Sequence, residues 1–252
     1  MQSKNIYFSD ESFSSKNKPG FDIAISRTLL DQVSLNQYPS VLRVYKGTEQ
    51  IAFGPSDVRN DGYDSAVSYL KKKKFSAVNR LTGGHAVIFH PGTLIFGWMF
   101  HDLQARLKMH YYFELVSNFF QSIINDFGLN CFVGEVDGEY CSGQYSLNLD
   151  KKVKVAGIAQ RIVNRAVYIG GFIAINNSDL IKEMLIPIYK DLGIKWDPQT
   201  VGALNDYDRT IDFTSLSSKI SYKLHENYNV HELLVNQDIL QNSKKNQDKY
   251  AV

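Results

Sequence analysis

Three strand-like runs follow one another between residues 76 and 100 with no helical period between them: SAVNRL (76–81), HAVIFH (85–90) and TLIFGWMF (93–100). Parallel neighbours need a long crossover, usually a helix, so consecutive strands of this kind favour antiparallel pairing. Single helices interrupt the strands elsewhere. Residues 20–36 set Ile23, Ile25, Leu29, Leu30 and Val33 among polar residues in an amphipathic helical pattern. VLRVYK (41–46) and EQIAFG (49–54) read as a hairpin turning at Gly47. Residues 63–74 and 109–127 read as helices, and LNCFVGEV (129–136) returns to strand. Several short strands follow to about Ala174, then a helix over 178–190, then a polar helical segment from about Thr214 that ends frayed. Regular βαβ alternation is absent. The order predicts an α+β fold in one domain over residues 1–252, with a mixed, largely antiparallel sheet packed by helices. Its core runs over about 20–205, and 206–252 form a helical C-terminal extension.

Composition excludes several function classes. A formal net charge of +2 gives no electrostatic footprint for nucleic acid, and the 15 Tyr and 15 Phe are not set among clustered basic residues. The first residues, MQSKNIYFSDES, lack the apolar core of a signal peptide. The longest apolar run, TLIFGWMF, is too short to span a bilayer. The expectation is therefore a cytoplasmic protein with no membrane partner. Two cysteines make no disulfide framework, and Cys131 in LNCFVGEV reads as a small buried hydrophobe. Lys71 to Lys74 close a helix where cations complement the dipole.

Phosphate-loop, dinucleotide and serine-hydrolase motifs fail. GEYCSGQY has Gln144 and Tyr145 where a phosphate loop needs Lys and Ser or Thr. There is no G-x-G-x-x-G after a strand and no G-x-S-x-G elbow. His225 and His231 are six apart, not at the i, i+4 spacing of a helical zinc pair. No metal or cofactor is expected.

Two stretches remain. In NRLTGGHAVIFHPGTLIF (79–96), Gly83 and Gly84 permit positive φ and close approach of backbone to a ligand. Arg80 could hold an anionic or carbonyl group; a plain hairpin with Arg80 exposed is the alternative. Alternation puts His85 and His90 on opposite faces of a strand, so at most one would face a given pocket. In YCSGQYSLNLDKKVKVAGIAQ (140–160), Cys141 lies in a Ser/Gly turn and Lys154 follows thirteen residues later in an apolar strand. If the two meet across the sheet, the ammonium lowers the thiol pKa and the pair forms an activated nucleophile beside a carbonyl-binding cation. If they do not, Lys154 is a solvated strand lysine and Cys141 is inert.

Together these stretches resemble the biotin/lipoate protein ligase superfamily. The similarity rests on Arg80-Leu81-Thr82-Gly83-Gly84-His85-Ala86-Val87 and on Lys154-Val155-Ala156-Gly157-Ile158-Ala159-Gln160. Tyr140-Cys141-Ser142-Gly143-Gln144-Tyr145 and the PQTVGAL segment (198–204) bring it closest to the cysteine-dependent octanoyl/lipoyl transferases, the lipoyl amidotransferases among them. There are departures. His85 stands where ATP-using lipoate ligases have a third glycine, Ser142 replaces a proline and Ser146 an aspartate. Only 48 residues follow Leu204, short for the accessory domain of such ligases.

The resemblance implies acyl transfer through a thioester on Cys141, with Lys154 stabilising the oxyanion. Arg80, Thr82, Gly83, Gly84, His85, Ala156, Gly157 and Ile158 are the implied substrate-binding residues. Val78 and Ala86 join the last three as candidate walls of an acyl groove, where each buried methylene contributes ~0.8 kcal/mol. The implied donor is an octanoylated or lipoylated carrier protein, such as the glycine-cleavage carrier. The implied acceptors are lipoyl domains of 2-oxoacid dehydrogenase complexes. Lys71 to Lys74, or Lys151 and Lys152, could steer an acidic carrier. An ATP-dependent lipoate ligase and a non-catalytic acyl-carrier-binding module are the alternatives.

Overall fold

The structure, a computed structural model, describes residues 4–14 and 17–252. Its frame is an eight-stranded sheet in the order β11-β1-β2-β6-β10-β9-β8-β7. In chain order these strands are β1 (Asn5–Ser9), β2 (Ser40–Lys46), β6 (Thr93–His101), β7 (Cys131–Val133), β8 (Leu147–Leu149), β9 (Val153–Val163), β10 (Ala166–Ala174) and β11 (Asn229–Glu232). Only the β1 edge is parallel, to β2 and to β11; from β2 through to β7 all pairs are antiparallel. A second sheet, β4-β3-β5, is built from β3 (Gln50–Phe53), β4 (Ser76–Asn79) and β5 (Val87–Phe89). The expected mixed, largely antiparallel sheet is therefore present.

The apolar run TLIFGWMF is buried along its whole length because β6 is covered on both faces. Leu94, Phe96, Trp98 and Phe100 pack into one cluster with helices α4 (Met109–Asn125) and α6 (Phe213–Asn227). Ile95 and Met99 pack into the other with α1 (Phe21–Ser34), the small sheet, α3 (Tyr63–Lys73) and α5 (Ser178–Asp191). The remaining helices are the single turn α2 (Pro55–Val58) and α7 (Gln237–Asn246), which lies on α1. Among the described residues no helix is long and apolar enough to cross a membrane.

Three expectations are corrected. Residues 41–46 and 49–54 do not form a hairpin. β2 runs between β1 and β6, whereas β3 is the centre of the small sheet. Gly47 donates its N–H to the Thr93 carbonyl, so the chain crosses from one sheet to the other there instead of folding back. The strands after residue 150 are long rather than short: β9 has 11 residues and β10 has 9. The C-terminal segment is not continuously helical. β11 interrupts it, and after α7 the Tyr250 carbonyl accepts from the Asn79 N–H while Ala251 bridges Val78.

Candidate active site

Cys141 sits in a loop between β7 and β8 with φ +44°, a left-handed conformation unusual for a residue with a β-carbon. The loop is held from beneath by a fully buried carboxylate. Glu139 Oε1 accepts from Lys154 Nζ at 2.8 Å, Ser146 Oγ at 2.6 Å and the Gly143 N–H at 3.3 Å. Its Oε2 accepts from the Val136 N–H at 2.9 Å. Lys154, also fully buried, completes its donors on the carbonyls of Tyr140 at 3.0 Å and Cys141 at 2.7 Å. The PQTVGAL segment braces the lysine strand: Val201 bridges Lys154 and the Gly202 N–H donates to the Lys154 carbonyl.

A bulge in β9 directs this arrangement. Leu147 pairs Ala156 and Asn148 pairs Lys154, so Val155 has no partner of its own on β8. The extra residue reverses the alternation. Val155 and Ala156 both enter the cluster under α4, and Lys154 and Gly157 come out on the site face together.

The second wall comes from the loop between β4 and β5. Arg80 Nη2 donates to the His85 carbonyl at 2.6 Å and lies 3.4 Å from Cys141 Sγ. The His85 N–H donates to the same sulfur at 3.3 Å. Gly84 has φ +93°, and a β-carbon there would come 2.8 Å from the sulfur and 2.5 Å from Arg80 Nη2. The glycine is what lets guanidinium and thiol approach. The His85 ring turns to Asp57, whose buried carboxylate meets Nδ1 at 2.7 Å and accepts from the Gly54 N–H at 3.1 Å. Burial alone raises the Cys141 pKa, but the charges of Arg80 and Lys154 and the hydrogen bonds from Arg80 and the His85 N–H outweigh it. The thiol is held below its ordinary value.

Behind the sulfur runs an apolar slot of about 230 Å³. This is below the roughly 300–1,000 Å³ of drug-sized sites and suits a slender ligand. Gly83, Gly84 and Ser142 are at its exposed end; Ile23, Tyr45, Ile95 and Tyr168 are at its buried end.

Of the expected residues, the structure gathers Cys141, Arg80, Thr82, Gly83, Gly84, Gly157 and Ile158 around this slot. His85 touches the sulfur through its backbone only. Ala156, Val78 and Ala86 are not groove walls. The bulge turns Ala156 to the opposite face, Val78 is bridged by Ala251, and the Ala86 carbonyl accepts from Tyr189 Oη at 3.0 Å. Lys154 does not present its ammonium to the slot, because its three donors are engaged with Glu139 and the Cys141 turn. His90 lies apart from the slot, buried, with Nδ1 accepting from the Gly92 N–H; burial lowers its pKa to about 4. Burial pushes the Cys131 thiol up to about 12, as suits an inert core residue. Sequence reasoning missed Glu139, Asp57, Tyr45 and Tyr168. Only Glu139, two residues before the cysteine, carried a local signal.

The chain matches the lipoyl protein ligase A/B catalytic domain over residues 18–224. It is 28% identical over 212 residues to the octanoyl-(GcvH):protein N-octanoyltransferase of Geobacillus kaustophilus, covering 84% of this chain and 72% of that one. It is 25% identical over 202 residues to the lipoyl-(GcvH):protein N-lipoyltransferase of Listeria monocytogenes, covering 75% and 72%. Its fold is similar to that of protein Ta0514 from T. acidophilum with bound lipoic acid, with a TM-score of 0.75 at 14% identity over 99% and 96% of the two chains. With four-fifths of its length matched, the chain belongs to the lipoyl protein ligase A/B catalytic-domain family.

Proposed function

We propose that this protein moves octanoyl or lipoyl groups between carrier domains through a thioester on Cys141. The observation that carries the reading is the seat of the sulfur. It lies at the exposed end of an apolar slot, between Arg80 Nη2 and the His85 N–H, with its pKa depressed. The names of the relatives support the choice of acyl group and donor. The donor is an octanoylated or lipoylated carrier of the glycine-cleavage type, and the acceptor is the lysine of a lipoyl domain.

The Cys141 thiolate attacks the carbonyl carbon of the acyl-lysine amide. The C–N bond breaks, a C–S bond forms, and the proton released by the thiol ends on the departing lysine amine. The acceptor lysine amine then attacks the thioester, and the sulfur leaves and regains a proton. One amide replaces another, so the exchange needs no ATP. Arg80 Nη2 and the His85 N–H, both beside the sulfur, are the donors placed to meet the oxyanion. Lys154 acts behind them by fixing the turn that carries Cys141. The acyl chain fills the slot and keeps water from the thioester.

The test is intact-mass measurement after mixing the protein with octanoylated carrier. An octanoyl adduct that vanishes in Cys141→Ala, together with loss of transfer to a lipoyl domain, is the expected result. Transfer that persists in Cys141→Ala and requires ATP would overturn the thioester route in favour of an acyl-adenylate.

A further inference from the structure

The slot has a defined inner end, and its construction is unusual for a sheet. Gly97 on β6 and Gly170 on β10 are register partners in the middle of the sheet, flanked in the same row by Arg43 and Ala159. Glycine within a strand weakens it and marks a place where something else comes close. Here the newcomer is the ring of Tyr168. A β-carbon on Gly170 would come 2.3 Å from that ring, and one on Gly97 would come 2.6 Å from it. Tyr168 therefore lies flat along a trench that only a pair of glycines leaves open.

The ring is braced from behind. The Ser26 hydroxyl, which donates to the Asp22 carbonyl, lies close to the hydroxyls of both Tyr168 and Tyr45. Tyr45 in turn stacks on the guanidinium of Arg43, 4.5 Å from its ring centre, and Arg43 is paired with Asp22. All of these side chains are buried. Burial raises the pKa of both tyrosines, that of Tyr168 to about 12, so neither ionises at neutral pH and the brace persists.

The ring limits the span of the slot. Phe172 pairs Gly157, beside the Lys154 chain at the thiol end of the slot. Tyr168 is four residues away on the same face of β10, but its ring reaches back over Gly170, two residues or about 7 Å along the strand from Phe172. An extended eight-carbon acyl chain measures about 9 Å from carbonyl to methyl, with each C–C bond about 1.5 Å long. A chain of that length running from the thiol past Phe172 meets the Tyr168 ring before it can extend further along β10.

We propose that Tyr168, laid on the Gly97–Gly170 pair, is the ruler that sets the acyl length this enzyme accepts. Its removal opens the glycine trench to longer chains. The proposal rests on the reading that the slot receives the acyl chain, and its test separates the two. Straight-chain carboxylic acids of six to fourteen carbons are titrated by calorimetry into the full chain carrying Cys141→Ala, so that no covalent chemistry intervenes. Affinity is expected to rise about 4-fold per methylene (about 0.8 kcal/mol) up to eight carbons and then to stop rising. Adding Tyr168→Ala moves the break to about eleven or twelve carbons, and Tyr168→Leu, a milder change should the alanine variant not fold, moves it by about two. Tyr168→Phe keeps the ring and keeps the break at eight. A break that stays at eight in both Tyr168→Ala and Tyr168→Leu would overturn the ruler and leave Tyr168 as a packing partner of the glycines. No binding at any length without a Tyr168 change would overturn the acyl-slot reading itself.

Discussion

Lys154 donates one N–H to Glu139 and the other two to the carbonyls of Tyr140 and Cys141. An ammonium has three donors, so none remains to follow a developing oxyanion. Its effect on the thiol is positional, through the turn, and electrostatic, through its charge. The two roles predict different mutant phenotypes. Lys154→Met leaves Glu139 buried without its cation, and breaking a buried pair from one side costs about 3–5 kcal/mol. The expected outcome is a melting temperature lower by roughly 10 °C together with loss of acylation; full stability with a purely kinetic defect would return the lysine to the oxyanion. Arg80 carries the complementary test. Its charge and hydrogen bond help to hold the Cys141 pKa below that of an ordinary thiol, about 8.5. Alkylation of Cys141 against pH is expected to show a midpoint below that value, and Arg80→Gln to raise it, since burial then acts with less opposition. An unmoved midpoint would remove Arg80 from the activation of the thiol. The sign for stability follows. The unfolded thiol keeps its proton to about 8.5 and the folded one loses it earlier, so stability rises with pH up to that value and is lost as pH falls through the folded pKa.

Among the elements, most were legible because burial leaves a period in the chain. The helices over residues 20–36, 63–74, 109–127 and 178–190 appear as α1, α3, α4 and α5 within a few residues of those limits. The run 93–100 is β6, apolar throughout because both of its faces are covered. The hairpin reading at Gly47 failed for a reason no local pattern contains. The two strands belong to different sheets, and what separates them is pairing with residues at least 26 positions away. The bulge in β9 was equally hidden. Strict alternation along KVKVAGIAQ puts Lys154 and Gly157 on opposite faces, whereas one unpartnered residue, Val155, puts them on the same one. That single residue explains why Ala156 is not in the groove. Within the site, Arg80, Gly84 and Cys141 were legible because a glycine pair and a cysteine turn are rare local signals. Asp57, Tyr45 and Tyr168 were not, since each is an ordinary residue whose role comes from what the fold sets beside it.

At the scale of the whole molecule, the C-terminal segment ties the strand that leads into Arg80 to the core. α7 packs on α1 with Ile239 fully buried, and Ser243 Oγ lies 2.9 Å from Thr28 Oγ1 across that contact. The chain then reaches β4, where the Tyr250 carbonyl accepts from the Asn79 N–H and the Val252 N–H donates to the Ala77 carbonyl. Asn79 directly precedes Arg80, so the last three residues hold the strand from which the guanidinium is aimed at the sulfur. Removing residues 250–252 deletes those two hydrogen bonds and the partly buried Tyr250 ring. At about 1 kcal/mol per hydrogen bond the loss is about 2 kcal/mol, which lowers the melting temperature by roughly 6 °C for a chain of this size. The more telling measurement is at the thiol, on the far side of Arg80. A loosened β4 lets the guanidinium drift from the sulfur, and the alkylation midpoint of Cys141 is expected to move up in the same direction as in Arg80→Gln. A shortened chain that melts earlier but alkylates with the parental pH profile would show that the tail stabilises the fold without reaching the site.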